Sequence, residues 1–202
     1  MEISGEVKIP FSQQSVWDAL NNPEILKSSL PGCEAIEKIS DVEFTAKIST
    51  KLGPVRAKFN AKVNLSDLDP PNSYKISGEG QGGPAGFASG SAAVSLSETD
   101  GETLLSYNAE GNVGGKLAQV GSRLIESASR KLADEFFKNF ADTLTAQQNG
   151  AESRIEKQGI QNPEVSIEKN VSKERKHSGI PFRVWTACIC AAAIILILAL
   201  TL

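Results

Sequence analysis

GEGQGGPAGFASG, residues Gly78 to Gly90, contains almost no side chain. Such a stretch can be a phosphate cradle, a flexible loop, or the wall of something hollow. A phosphate loop needs its glycines to lead into a helix and to carry the lysine and hydroxyl of GxxxxGK[ST]. Neither is present, and the flanks alternate as strands do. From Ile76 one side of the chain carries Gly78 and Gly80; backwards from Val94 it carries Ala92, Gly90 and Ala88. Residues Gln81 to Gly86 read as the tip of a hairpin between these two strands. A third strand continues the pattern from Leu105 and Tyr107 through Ala109, Gly111 and Val113. Interiors pack at crystal-like density, so three adjacent strands offering only hydrogens and methyls leave room beneath whatever covers them. An apolar void of that kind stays dry and takes an apolar guest. The competing reading is a long hairpin tip with no cavity at all.

The cover is found further along the chain. Leu117, Val120, Leu124, Ala128, Leu132, Phe136, Phe140 and Leu144 recur every three or four residues, with Arg123, Glu126, Arg130, Asp134, Lys138 and Asp142 between them. This spacing predicts a long amphipathic helix from about Lys116 to Ala146, one face of which must be buried. Gly114-Gly115 reads as its joint with the last strand, and Gly121 as a costly glycine inside it.

The remaining segments supply the sheet. VRAKFNAKVNLS places Val55, Ala57, Phe59, Ala61, Val63 and Leu65 on one face, and EFTAKISTKL before it pairs as a hairpin around Gly53-Pro54. EISGEVKI at the start alternates as a half-buried strand. Ser12 can cap a short helix, and Asn22-Pro23 separates it from a second. The order strand, short helices, antiparallel meander, long helix defines an α+β domain over residues 1–146, with helices on one face of a curved sheet.

The 202 residues carry a formal net charge of -3, which argues against a nucleic-acid partner. A single histidine, His177, excludes His-based triads and multi-His metal sites from the globular part. The three cysteines, Cys33, Cys188 and Cys190, form no disulfide framework. No cofactor is expected. MEISGEVKIP lacks the basic start and apolar run of a signal peptide.

Residues 147–180 are polar, charged and free of aromatics, a composition expected of a flexible linker. Residues 181–202 differ. From Val184 to Leu202 no side chain is charged, and a helix of that length spans roughly 28 Å, close to a bilayer core. Arg183 and Trp185 suit the membrane interface. Lys173, Arg175 and Lys176 lie just before the run, so the expectation is a single-pass C-terminal transmembrane anchor in the cell membrane with the main domain cytoplasmic.

Several spaced blocks, NNPEILKSSLPGCE, GPVRAKF, DLDPPNSY, SGEGQGGPAGFASGSA and VGGKLAQVGSRLIESASRKLADEFF, resemble the G-subunit family of carbon monoxide dehydrogenase, which belongs to the START-like, helix-grip (SRPBCC) superfamily. The resemblance covers about Met1 to Ala146. It implies a helix-grip fold, an apolar cavity between sheet and helix, and a molybdenum-containing carbon monoxide dehydrogenase or related hydroxylase as partner.

The resulting expectation is a membrane-tethered, non-enzymatic carrier that takes a quinone or other membrane lipid and links that enzyme to the membrane. The cavity neighbours are then Phe59, Tyr74, Phe87, Tyr107, Leu117, Val120, Leu124 and Phe136, with Phe87 either a lid or a cover for the sheet edge. A pure recruitment or maturation factor would instead use an exposed face, such as Pro31 to Glu34 or the basic face of Arg56, Lys58 and Lys62. An enzyme, such as a cyclase or hydrolase, has only Glu79, Tyr74 and Cys33 to draw on, and no two of them make an acid–base or nucleophile–base pair by spacing.

Overall fold

The computed structural model describes residues 1–52 and 55–158. Among these, seven strands form one antiparallel sheet: β1 (Glu2–Ile9), β2 (Cys33–Lys38), β3 (Glu43–Leu52), β4 (Val55–Asp69), β5 (Ser73–Gln81), β6 (Phe87–Thr99) and β7 (Glu102–Gly114). Their order is β1-β7-β6-β5-β4-β3-β2. Consecutive strands from β2 to β7 are neighbours, as a meander requires. The first strand closes against the last, with Ile3 opposite Ala109 and Ile9 opposite Thr103.

Because β1 and β2 lie at opposite edges, the chain between them must cross the sheet. It does so through α1 (Gln13–Leu20) and α2 (Pro23–Ser29). Ser12 Oγ accepts from the Ser15 amide at 3.4 Å, the cap expected for α1, and Asn22, read from sequence only as a break, caps α2, its Oδ1 accepting from the Glu24 amide at 2.9 Å. Pro23 occupies the first turn of α2, where no amide is needed.

In β4 the alternation holds: Phe59, Ala61, Val63 and Leu65 are buried, and Asn60, Lys62 and Asn64 are exposed. β3 and β4 pair down to Leu52 opposite Val55; the turn expected at Gly53-Pro54 falls on residues outside those described. β2 is not evident from periodicity because a register shift between Cys33 and Ala35 interrupts it.

The helix that covers the sheet, α3, spans Ser122–Gln158. The sequence predicts its start near Lys116, and the structure corrects this. Ala118–Val120 form a separate 3₁₀ turn, and Gly121 has φ +97°, which no α-helical residue adopts. The repeat therefore breaks at Gly121, and the helix has its own phase. Ile125, Leu132, Ala133, Phe136, Phe137, Phe140 and Leu144 are buried, whereas Leu124 is 58% exposed. α3 runs on through Gln158, beyond Ala146. The rest of the segment read as linker and the apolar run at 181–202 lie outside the described residues. Among the described residues no helix is long and apolar enough to cross a membrane.

Aromatic rings set the distance between α3 and the sheet. Phe136 stacks on Phe140 at 5.6 Å between centroids and meets Phe137 edge-on at 5.2 Å. Phe137 stacks on Tyr107 of β7 at 5.7 Å. Asn139 Nδ2 donates to the Ser29 carbonyl at 3.2 Å and ties α3 to α2. Replacing Phe140, which is fully buried, by Ala should cost about 3–5 kcal/mol in urea denaturation. Leu124→Ala should change stability by no more than about 0.5 kcal/mol. The opposite ranking would contradict the helix phase described here.

Candidate functional site

The pairing register brings the small residues of three strands together on the inner face. One row reads Ile76, Ala92, Ala109, Ile3 across β5, β6, β7 and β1. The next reads Val63, Gly78, Gly90, Gly111 across β4 to β7. The third reads Ala61, Gly80, Ala88, Val113. At the other end of the same strands the inner positions are Leu65, Tyr74, Val94, Leu96 and Leu105, all buried. On β5, β6 and β7 bulk is thus concentrated at one end of the inner face, whereas on β3 and β4 buried Ile48 and Phe59 stand beyond the small residues.

The core divides along this boundary. Ile3, Ala88, Ala92 and Ala109 form a cluster of their own. The main cluster contains Trp17, Phe44, Phe59, Tyr74, Phe136 and Phe140, and only Tyr107 and Val113 pack against both. On α3 the buried rings Phe136, Phe137 and Phe140 follow a stretch richer in small residues, Ala128, Ser129 and Ala133. Buried Ser129 is satisfied within the helix, its Oγ donating to the Ile125 carbonyl at 2.8 Å. Not every glycine leaves space. A Cβ on Gly5 would lie 2.6 Å from Tyr107 Oη, and one on Gly82 would lie 2.3 Å from the Phe59 ring, so these two seat aromatic rings.

Of the expected cavity neighbours, Phe59, Tyr74, Leu117 and Phe136 are buried in the main core, and Tyr107 and Val120 are half-buried against it. Two are placed differently. Phe87 is 45% exposed and alternates with inward Ala88, so it stands on the outer face. Its ring covers Gly114, its partner across the strand pair. It therefore covers the end of the β6–β7 pair, on a central strand and not at a sheet edge, and is no lid over the inner face. Leu124 points outward because Gly121 resets the helix. Conversely, the sequence repeat misses Ile125 and Phe137, since each is one residue out of step with it. Ala85, which the sequence places in a hairpin tip, is buried, and its carbonyl accepts from the Leu117 amide at 3.0 Å.

Burial is the main cause that raises the Tyr107 hydroxyl above its ordinary pKa; Asp134 adds to the effect and Arg130 opposes it. Tyr107 is therefore a neutral hydroxyl at the border of the small-residue block. Burial likewise pushes the Cys33 thiol up, against the pull of Lys27. This is the opposite of an activated nucleophile. Glu79 lies on the outer face, opposite Lys62 and Ser89, whereas Tyr74 on the same strand points inward. Glu79 and Tyr74 are thus held on opposite faces of the sheet. Among the described residues no three His, Cys, Asp or Glu side chains come together as a metal site. On the outer face Lys58 pairs with Glu34 at 2.7 Å, joining the two surfaces expected of a recruitment factor. A groove of about 590 Å³ also lies there, lined by short polar groups such as Ser4, Ser73, Ser106 and Asn108.

A curved antiparallel sheet gripping one long helix is the helix-grip, START-like fold. Solved structures agree. A conserved protein from Geobacillus kaustophilus matches with 28% identity and a TM-score of 0.68, over 72% of this chain and 96% of that one. TTHA0849 from Thermus thermophilus matches with 12% identity and a TM-score of 0.57, over 73% and 99%. MLL2253 from Mesorhizobium loti matches with 15% identity and a TM-score of 0.53, over 72% and 98%. The last two speak for the fold alone. No curated protein matches the chain. The family profile of the carbon monoxide dehydrogenase G-subunit (CoxG) matches residues 5–145, and the chain belongs to that family. Membership associates it with carbon monoxide dehydrogenase as an accessory component.

The thiol chemistry offers a direct check. At pH 7.5 alkylation of Cys33, followed by peptide mapping, should be at least about tenfold slower in the native protein than after unfolding in urea, because burial disfavours the thiolate. Equal or faster labelling of the native thiol would contradict these surroundings.

Proposed function

We propose that this chain is a non-enzymatic carrier that holds an apolar ligand, a quinone or another membrane lipid, between the small-residue block and α3. It presents that ligand to a molybdenum-containing carbon monoxide dehydrogenase or a related hydroxylase. The observation that carries this reading is the divided core: Ile3, Ala88, Ala92 and Ala109 cluster apart from the rings that hold the helix. A face of hydrogens and methyls has no polar group to recognise a charged metabolite, and it accommodates an isoprenoid or acyl chain. A dehydrogenase that oxidises its substrate must discharge electrons, and quinones are the apolar acceptors a bilayer offers.

The apolar run at 184–202 supports a second element of the reading, a tether to the cell membrane with the domain on the cytoplasmic side. A ligand drawn from the bilayer then travels a short distance to the enzyme, and the same tether brings the enzyme to its acceptor pool.

The test compares the full chain with its Ala92→Phe variant, both purified from membranes in the same detergent and extracted with organic solvent. Wild type should yield a quinone or lipid near one per protein by mass spectrometry. The variant should retain its melting temperature within a few degrees and lose most of that ligand. Equal, low yields from both, with the variant destabilised by the roughly 1–3 kcal/mol typical of overpacking, would contradict the carrier reading.

A further inference from the structure

The two ends of the sheet carry opposite charge. At the end where bulky residues fill the inner face of β5 to β7, the turns and strand ends bear Asp41, Glu43, Asp67, Asp69, Glu98, Asp100 and Glu102; Lys38 pairs with Asp41 at 3.2 Å and Lys75 with Asp67 at 2.7 Å, and with Lys8 beside them the acids remain in excess. The end with the small residues comprises the end of β3, the start of β4, the β5–β6 tip, the link from β7 and the first turn of α3. Register joins the β5–β6 tip to β4 and β7, with Gln81 opposite Asn60 and Phe87 and with Phe87 opposite Gly114, and the β3–β4 hairpin runs four residues past Asn60 on the same side, where Lys51 stands opposite Arg56. The Ala85 carbonyl then accepts from Leu117, and the Gly86 and Gly115 backbones touch so closely that a Cβ on Gly115 would lie 2.6 Å from Gly86 Cα. Among the described residues the charged side chains of this rim are Lys51, Arg56, Lys116 and Arg123, all exposed. The nearest acids are engaged or set back. Glu126 is ion-paired with Arg130 at 3.1 Å, Glu79 stands opposite Lys62, and Glu2 and Glu110 face each other on the outer face. The same rim exposes Phe87 and Leu124.

Exposed apolar side chains ringed by bases complement an anionic bilayer, whose headgroups attract the bases while apolar tips enter the acyl boundary. The opposite end also exposes apolar groups, Ile39, Val42 and Leu68, but its carboxylates are repelled by such a surface. We propose that the rim of Lys51, Arg56, Phe87, Lys116, Arg123 and Leu124 docks on an anionic lipid surface and turns the small-residue end of the inner face toward the bilayer. This rests on the carrier reading, because it names the side from which a lipid would enter. Chain length permits it. α3 has 37 residues and leads about 55 Å away from the rim. Residues 159–183 can span at most about 85 Å when extended, enough for an anchor beyond them to share the membrane that the rim touches.

The experiment uses the full chain reconstituted in vesicles of phosphatidylcholine with about 30% phosphatidylglycerol, with photoreactive benzoylphenylalanine at position 124 or, as control, at position 68. Irradiation should crosslink lipid at 124 at least about fivefold more than at 68. The double variant Lys116→Glu/Arg123→Glu, which reverses both charges, or about 0.5 M NaCl, should remove that excess, at about fivefold in contact for each positive charge lost. Equal crosslinking at both positions, or an excess indifferent to charge reversal and salt, overturns the proposal. So does crosslinking at 124 to added dehydrogenase in place of lipid. Ligand content is measured on the same samples: a rim that docks while no ligand is carried defeats the carrier reading alone, and a carrier whose rim ignores lipid defeats this proposal alone.

Discussion

A helix cannot approach a sheet more closely than the bulkiest side chains between them allow. Here those side chains are Phe136, Phe137 and Phe140 against Tyr107 and the aromatic core of the outer strands. They hold α3 at the spacing rings require. The rows Gly78–Gly90–Gly111 and Gly80–Ala88 lie on the same inner face with nothing of comparable size. Along β5, β6 and β7 the contrast is between a ring-filled stretch and a stretch of hydrogens and methyls. A void on that stretch, lined by apolar groups, would favour an apolar occupant over water.

The same contrast gives the molecule a direction. Bulk and carboxylates lie at one end of the strands, small residues and bases at the other. The elements of the second end are locked by backbone contact, the β5–β6 tip against the β7–α3 link, with Gly86 at φ +117° and Gly115 at φ +77° allowing the approach. The polar outer face, where Lys58 meets Glu34, remains available to a protein partner. A rim of bases with exposed Phe87 and Leu124 at one end and a polar outer face on the sheet are the two surfaces that the carrier proposal calls for.

The sheet is readable from sequence wherever alternation is uninterrupted. β4 declares itself through six apolar residues at every second position, and the inner rows of β5, β6 and β7 follow from Ile76, Val94 and Leu105 by counting in twos. Periodicity fails where backbone geometry, and not side-chain chemistry, sets the phase. The register shift at Cys33 hides β2, and the positive φ of Gly121 ends the repeat's N-terminal part, so that Leu124 is exposed and Ile125 buried while Leu132, Phe136, Phe140 and Leu144 keep the expected face. A sequence repeat running smoothly from Leu117 to Leu144 gives no warning of such a break, because glycine is tolerated inside a helix as well as at its start. Phe87 misleads for a related reason: an aromatic among glycines attracts a functional reading, while its parity with Ala88 already places it outside. The division of the core is not legible at all, since it depends on which rings lean over which glycines.

The proposed void beneath the small residues is most directly tested by xenon pressurisation of crystals of the protein. Xenon enters apolar voids and makes no demand on polar groups. An unfilled end predicts ordered xenon within van der Waals contact of Ala88, Ala92 and Ala109, on the side facing α3. Continuous side-chain density across that region, with no xenon bound, would contradict it.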